Sequence, residues 1–226
     1  MKDARIERIP QEGNGKENSF PGIYEEASHI ARGVLRAIQE VAGTTYCKGV
    51  QIAELTKWAK ANGYWFENVD TLGEFVDRGS ENEVYVSSDY KTVYKLNDFR
   101  YSDDNLIPFF ERIKAHNHYF KDCAYSLIGF SINKQGKTCA VLSQPFIVSL
   151  REATQEEINT ELSLLGFTPQ MSNEYFSNET HDIFDALPNN VLLGVDERLY
   201  FIDTIIYQSC IKGFEKYKSL SPRFSK

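Results

Sequence analysis

Apolar residues in the first third of the chain recur at helical spacing. Ile30, Val34, Leu35, Ile38 and Val41 fall on one face of a helix over 24–41, and Gly43 follows as a stop. Ile52, Leu55, Trp58 and Ala59 repeat the pattern over 50–62, ended by Gly63. A short third helix is expected over 72–77. The period then drops to two. Segments 83–87 and 92–96 are rich in Val and Tyr and joined by Ser88-Asp89-Tyr90, which predicts a hairpin. Helical spacing returns over 103–120 with Leu106, Phe109, Phe110, Ile113 and Phe120. A second hairpin is expected from 125–132 and 138–143 around the turn Asn133-Lys134-Gln135-Gly136-Lys137, closed by Pro145. Thr154-Gln155-Glu156-Glu157 has the form of a capping box and opens a helix through Ile158, Leu162 and Leu165 to Gly166. Short strands are predicted at 174–177, 191–193 and 199–202, and a closing helix at 207–220. The class is α+β.

Composition narrows the picture. The 226 residues are 42% hydrophobic and 13% aromatic, enough to bury a core in one large or two small domains. A net charge of -7 makes nucleic acid an unfavourable partner for the chain's overall field. Cys47, Cys123, Cys139 and Cys210 form no C-x-x-C pair and read as free thiols in a reducing compartment. No apolar run reaches the ~20 residues of a membrane span, so no membrane is expected as partner. The opening Met1-Lys2-Asp3-Ala4-Arg5-Ile6-Glu7 lacks the apolar core of a leader, and the chain is expected in the cytoplasm. Residues 1–20, with Gly13, Asn14, Gly15 and Asn18, read as a flexible tail.

The densest chemistry lies in Asp185-Ala186-Leu187-Pro188-Asn189-Asn190-Val191-Leu192, followed by Leu199-Tyr200-Phe201-Ile202-Asp203. Two carboxylates and an amide sit at tight spacings around two apolar runs. Magnesium takes oxygen ligands and keeps several waters, so one or two carboxylates plus phosphate oxygens suffice to hold it. Phosphoryl transfer asks for little beyond positioning and charge stabilisation.

Hairpin, helix, hairpin, connector, helix, an Asp/Asn loop and a strand ending in Asp resemble the protein kinase-like superfamily in their order. Asp185 and Asn190 match the D-x-x-x-x-N catalytic loop, with Pro188 inside it. Asp203 is similar to the Asp of D-F-G, and Lys95 in Val93-Tyr94-Lys95-Leu96 to the lysine of V-A-I-K. Gly79-Ser80-Glu81-Asn82-Glu83-Val84-Tyr85 resembles a degenerate glycine-rich loop. With His116-Asn117, Phe120, Gly129-Phe130 and Gln144-Pro145, the set is similar to the kinase-like domains in polyvalent proteins of phages and conjugative elements, over about 50–210. The resemblance implies a compact two-lobed fold: an antiparallel-sheet N-lobe at 79–147 and a small, truncated helical C-lobe at 148–226, preceded by a helical extension at 21–78. It implies ATP and Mg²⁺ as cofactors and an unidentified acceptor hydroxyl on a protein or a small molecule. It assigns Lys95 to the phosphates with Glu111 as its partner, Gly79 and Ser80 to the phosphate loop, and Gln144 and Phe146 to the hinge. Asn190 and Asp203 would hold the metal, and Asp185 would take or orient the acceptor proton.

The chain departs from that pattern in several places. Of the three loop glycines only Gly79 is present. Ile183-Phe184 replace H-R, Leu187 stands where a polar residue is common, Asp203-Thr204-Ile205 replaces D-F-G, and no A-P-E follows. Each residue also has a plainer role: Asp185 as a turn cap, Lys95 as a solvated strand lysine, Glu111 as a solvated helix charge, Gly79 as a turn glycine. Two further functions therefore stay open: a nucleotide-binding or scaffolding module without transfer, and a DNA-binding adaptor through the N-terminal helices, with 50–64 as half of a helix-turn-helix, against which stands the small basic set of Lys48, Lys57 and Lys60. His116 and His118, two apart, do not share a helix face and are not expected to bind metal together.

Overall fold

In the computed structural model of the chain, residues 22–170, 175–209 and 215 are described. The first apolar stripe forms α1 (Ile23–Ala42), ended by Gly43 in the left-handed conformation (φ 62°) with its N–H bonded to Gln39 O. α2 (Lys48–Ala61) follows. These helices meet through small residues: Ala27 and Ala31 of α1 and Ala59 of α2 are fully buried, whereas Val41 at the end of the expected stripe is exposed. Buried Gln51 stitches the group together. Its Nε2 donates to Ala31 O at 2.8 Å, and its Oε1 accepts from Leu106 N at 2.7 Å, just before α3 (Ile107–Tyr119).

All three helices cover one face of a six-stranded sheet. Its strands are β1 (Trp65–Phe66), β2 (Glu74–Arg78), β3 (Asn82–Val86), β4 (Thr92–Asn97), β5 (Ser126–Ile132) and β6 (Thr138–Pro145), in the order β1-β5-β6-β4-β3-β2. Pairing is antiparallel except for the parallel β1/β5 contact. Leu55, Phe99, Phe109, Phe110, Ile113 and Phe130 form the core beneath the helices. Alternation along the strands sends Tyr85, Leu96 and Val141 to the opposite face, under Leu72.

The lower half holds β7 (Ser149–Glu152), α4 (Gln155–Leu164), β8 (Thr168–Pro169), β9 (Phe176–Ser177), β10 (His181–Phe184), β11 (Val191–Gly194), β12 (Leu199–Phe201) and β13 (Ile205–Gln208). They make a four-stranded sheet, β13-β10-β9-β8, and a three-stranded one, β12-β11-β7. Thr154 caps α4 with the expected reciprocal bonds to Glu157. Phe120, at the end of α3, stacks on Phe201 at 4.2 Å between ring centres and joins the two halves. The architecture is α+β and agrees with a two-lobed kinase-like fold. Among the described residues no helix is long and apolar enough to cross a membrane.

Three expectations change. The helix expected at 72–77 is a 3-10 turn, Val69–Leu72, followed by β2. Gly73 breaks the helix at φ 137°, where a Cβ would lie 2.0 Å from Val86 O, and β3 then pairs with 74–78 as a hairpin, with one irregularity between Phe75 and Asp77. Tyr207 lies in β13 rather than in a closing helix, because Ile205–Gln208 pairs along the whole of β10. Of the expected helix, 207–209 and Glu215 are described, Glu215 as helical; 210–214 and 216–220, with the tail at 1–20, lie outside the described residues. The two-residue strand β1 had no signal of its own. It is held where Phe130 N donates to Tyr64 O at 2.8 Å.

Gly129 lies under that same carbonyl, and a Cβ there would come within 2.3 Å of Tyr64 O. Gly129→Ala is expected to displace β1 and destabilise the fold by about 1–3 kcal/mol. A denaturant melt measures this, and an unchanged midpoint would show that β1 is not seated there.

Candidate active site

The site is assembled from β4, the 185–190 loop and the end of β12. Lys95 pairs with Val84 across the β3/β4 ladder, as Asn97 does with Asn82 and Val93 with Val86. Cross-strand partners share a face, so Lys95, Val84, Val86 and Val93 look to the same side. Lys95 is 5% exposed. Its Nζ donates to Ile202 O at 2.7 Å, to Asp203 Oδ1 at 3.1 Å and to Tyr125 OH at 3.2 Å. Burial opposes the charge, but Asp203 and Tyr125 outweigh it and hold the ammonium above its usual pKa. Tyr125 is itself pushed up to about 12, chiefly by burial. Asp203 is half-exposed, which leaves its carboxylate open to a ligand from the cleft.

Hairpin β11/β12 brings the second loop alongside. Val191 faces Phe201, and Asn190 O accepts from Ile202 N at 2.9 Å. Pro188 opens a short 3-10 turn, Pro188–Asn190, where its missing N–H costs nothing. Asp185 is held at φ 59°, a left-handed conformation that Asp tolerates better than most residues. Asn190 fixes it there: its Nδ2 donates to Asp185 O at 2.8 Å and to Asp185 Oδ2 at 2.9 Å. The Asn190 Oδ1 accepts from Asn189 at 2.9 Å and keeps a second lone pair. A continuous chain of contacts therefore runs from Asp185 through Asn190 and the Asp203 backbone to Lys95.

Glu111 is not part of it. Its carboxylate pairs with Arg32 of α1 on the surface, and Asp203 is the acidic partner of Lys95. The phase of α3 explains this: Phe109, Ile113 and His116 are buried inward, and Glu111 turns to the flank beside α1. The helix residue that points to the site is Arg112, bonded through both nitrogens to Glu81 at 2.6 and 3.2 Å. Neither residue stood out in the sequence. Glu81, Lys95, Arg112, His116, Tyr125 and Thr204 line a cavity of about 30 Å³.

The remaining candidates are placed as follows. Gly79 N donates to Asn82 O at 2.9 Å in the β2/β3 turn, and a Cβ there would meet nothing nearer than 3.9 Å, so the turn itself does not demand glycine. Ser80 is exposed. Gln144 is buried, and its Nε2 donates to Cys123 O at 2.7 Å, making the side chain a strut. Phe146 N donates to Lys91 O at 2.8 Å, and its ring meets Tyr90 edge-on. The side chain of Gln144 and the N–H of Phe146 are thus engaged within the protein. The half-buried valines on the face of Lys95 were missed; the hairpin register is what exposes them. Lys48 donates to Phe99 O at 2.7 Å and Lys60 lies over Trp65, so two of the three lysines of a DNA-binding reading serve the fold.

His116 is buried and His118 exposed, so they do share no site. His116 Nε2 bonds Phe201 O at 2.8 Å, while Nδ1 has no partner among the described residues. Burial, with Lys95 nearby, lowers its pKa from 6.5 to about 4. The unfolded chain takes up this proton near 6.5 and the folded chain only near 4, so stability is full above 6.5 and falls as pH drops through that window. The loss at pH 4 is on the order of 3 kcal/mol. Urea midpoints between pH 7 and 4 measure it, and His116→Gln is expected to flatten the slope by about one proton.

A scan of protein-family models matches residues 48–209 to the family described as serine/threonine/tyrosine kinase found in polyvalent proteins. No curated protein matches the chain. The matched span takes in α2, the whole sheet bearing Lys95, the Asp185–Asn190 loop and Asp203, and leaves α1 outside. It covers well over half of the 226 residues, and the chain belongs to this kinase family of polyvalent proteins.

Proposed function

We propose that the chain is an ATP- and Mg²⁺-dependent phosphotransferase that moves the γ-phosphate to a hydroxyl on a protein or a small molecule. The observation that carries this is the 3.1 Å contact between Lys95 Nζ and Asp203 Oδ1, with Asn190 and Asp185 joined to Asp203 by hydrogen bonds. Residues so far apart in the chain converge with the charges a phosphorylated nucleotide needs. The donor set fits magnesium: the half-exposed Asp203 carboxylate and the Asn190 amide oxygen are hard ligands, and phosphate and water would supply the rest. Bound there, the ion would neutralise charge building on the phosphates.

In this reading Lys95 contacts the nucleotide phosphates, and the Gly79-Ser80 turn lies over them. Val84, Val86 and Val93 offer the base an apolar roof. Asp185 takes the proton of the acceptor hydroxyl as its oxygen bonds phosphorus; the bond from phosphorus to the β–γ bridging oxygen breaks, and ADP leaves with the electron pair.

Mg²⁺-ATP is expected to raise the melting temperature, since a ligand stabilises the state it binds. Labelled ATP then reads transfer to casein, to free serine and to water as probe acceptors. A chain that neither gains stability nor releases label is not a phosphotransferase. Stabilisation without any release of label would leave a nucleotide-binding module.

A further inference from the structure

Glu81 sits in the β2/β3 turn, the segment read above as lying over the nucleotide phosphates, and it is only 8% exposed. A carboxylate at that place would repel phosphate unless neutralised. Arg112 neutralises it in a bidentate pair at 2.6 and 3.2 Å, with its own side chain largely buried. Burial works against the guanidinium charge, but Glu81 outweighs it and holds the pKa of Arg112 above its ordinary value. The same guanidinium lies 5.7 Å from the ring centre of Tyr207, in the strand that follows Asp203. Glu81 O also accepts from Asp98 N at 3.0 Å, which ties the turn to the end of β4. One arginine on α3 thus touches both the turn above the phosphates and the strand leaving the metal-binding aspartate.

We propose that Glu81 and Arg112 are positioning residues for nucleotide binding. Their ion pair fixes the 79–81 turn against α3 and masks a carboxylate that would otherwise face the phosphates. The inference rests on the phosphotransferase reading. It assigns the coupling between the lysine strand and α3 to a carboxylate on the turn and a cation on the helix. Glu111, turned toward Arg32, takes no part.

The test compares ATP with adenosine, which carries no phosphate. Arg112→Met leaves Glu81 unmasked and is expected to weaken Mg²⁺-ATP binding by about tenfold or more, while adenosine binding changes by about twofold or less. Glu81→Gln/Arg112→Met removes both charges together and is expected to restore ATP affinity to within about threefold of the parent. If Arg112→Met does not fold, Arg112→Lys, which keeps the charge and loses the fork, is carried through the same comparison. Equal losses for ATP and adenosine, or a double variant no better than the single, would overturn the proposal and leave the pair a purely structural one. A parent chain that binds neither ligand fails earlier, at the phosphotransferase reading itself. A parent that binds ATP with Arg112→Met unaffected fails here alone.

Discussion

Lys95→Met is expected to reduce γ-phosphate turnover by about 10²–10³-fold, the usual cost of removing one preorganised charge from a transition state, with the melting temperature nearly unchanged. The structure shows why the two effects separate. Lys95 is a buried cation with three partners. Removing one member of a buried pair is ordinarily severe, because the other charge is stranded. Asp203 is not stranded, since its side chain is half-exposed and water can take the place of the ammonium. Nor is the Ile202 carbonyl, which Tyr125 OH already bonds at 2.8 Å. Methionine fills the volume of the lysine stem in the same strand. What is lost is a cation on the cleft face of β4, and phosphate is the group that would miss it. Turnover with labelled ATP and a thermal melt on the same sample give both numbers. Full turnover would remove Lys95 from the chemistry and with it the central contact of the proposed site.

The placements that were legible are those set by side-chain chemistry at fixed local spacing. Asp185, Pro188 and Asn190 sit within one loop, and that loop closes on itself through Asn190, as the spacing requires. Asp203 lies two residues past the end of β12, where its N–H bonds Asn190 O of the same loop at 3.4 Å, so its place follows from a short hairpin. Lys95 is harder, because its partner is 108 positions away, and only the resemblance supplied the pairing. The capping box at Thr154 was readable because it is closed by its own neighbours.

What was not legible depends on tertiary choice. Glu111 and Arg112 are adjacent in sequence, and which one faces the lysine turns on the rotation of α3, set by Phe109, Ile113 and His116 packing below. Arg32, far away on α1, then claims Glu111. Segment 74–78 carries no alternation, since every residue is exposed, and it is a strand only because β3 pairs with it. Ile205–Gln208 fits a helix or a strand equally well by period, and β10 decides. The Gln144 side chain was equally silent in the sequence: the expected hinge asks only for its backbone, and its amide is spent on Cys123 O, 21 positions away.

Asp185→Asn is expected to lower kcat by about 10²–10⁴-fold while ATP affinity stays within a few-fold, because only the proton acceptor is lost. The substitution is mild for the fold. Asparagine accepts the left-handed φ of 59° at least as readily as aspartate. The carbonyl of residue 185 still receives Asn190 Nδ2 at 2.8 Å, and the new amide keeps one oxygen to receive the bond that Oδ2 now takes at 2.9 Å. The loop should therefore present the same surface with its basicity removed. That separates a proton acceptor from a turn cap, since a turn cap survives exchange to asparagine. Steady-state kinetics against ATP give the split directly. A kcat that is unchanged makes Asp185 a turn residue, and a loss in ATP affinity to match kcat makes it a ligand of the metal or phosphate. Only a fall in kcat alone places it at the acceptor hydroxyl, on the opposite side of the transferring phosphorus from Lys95.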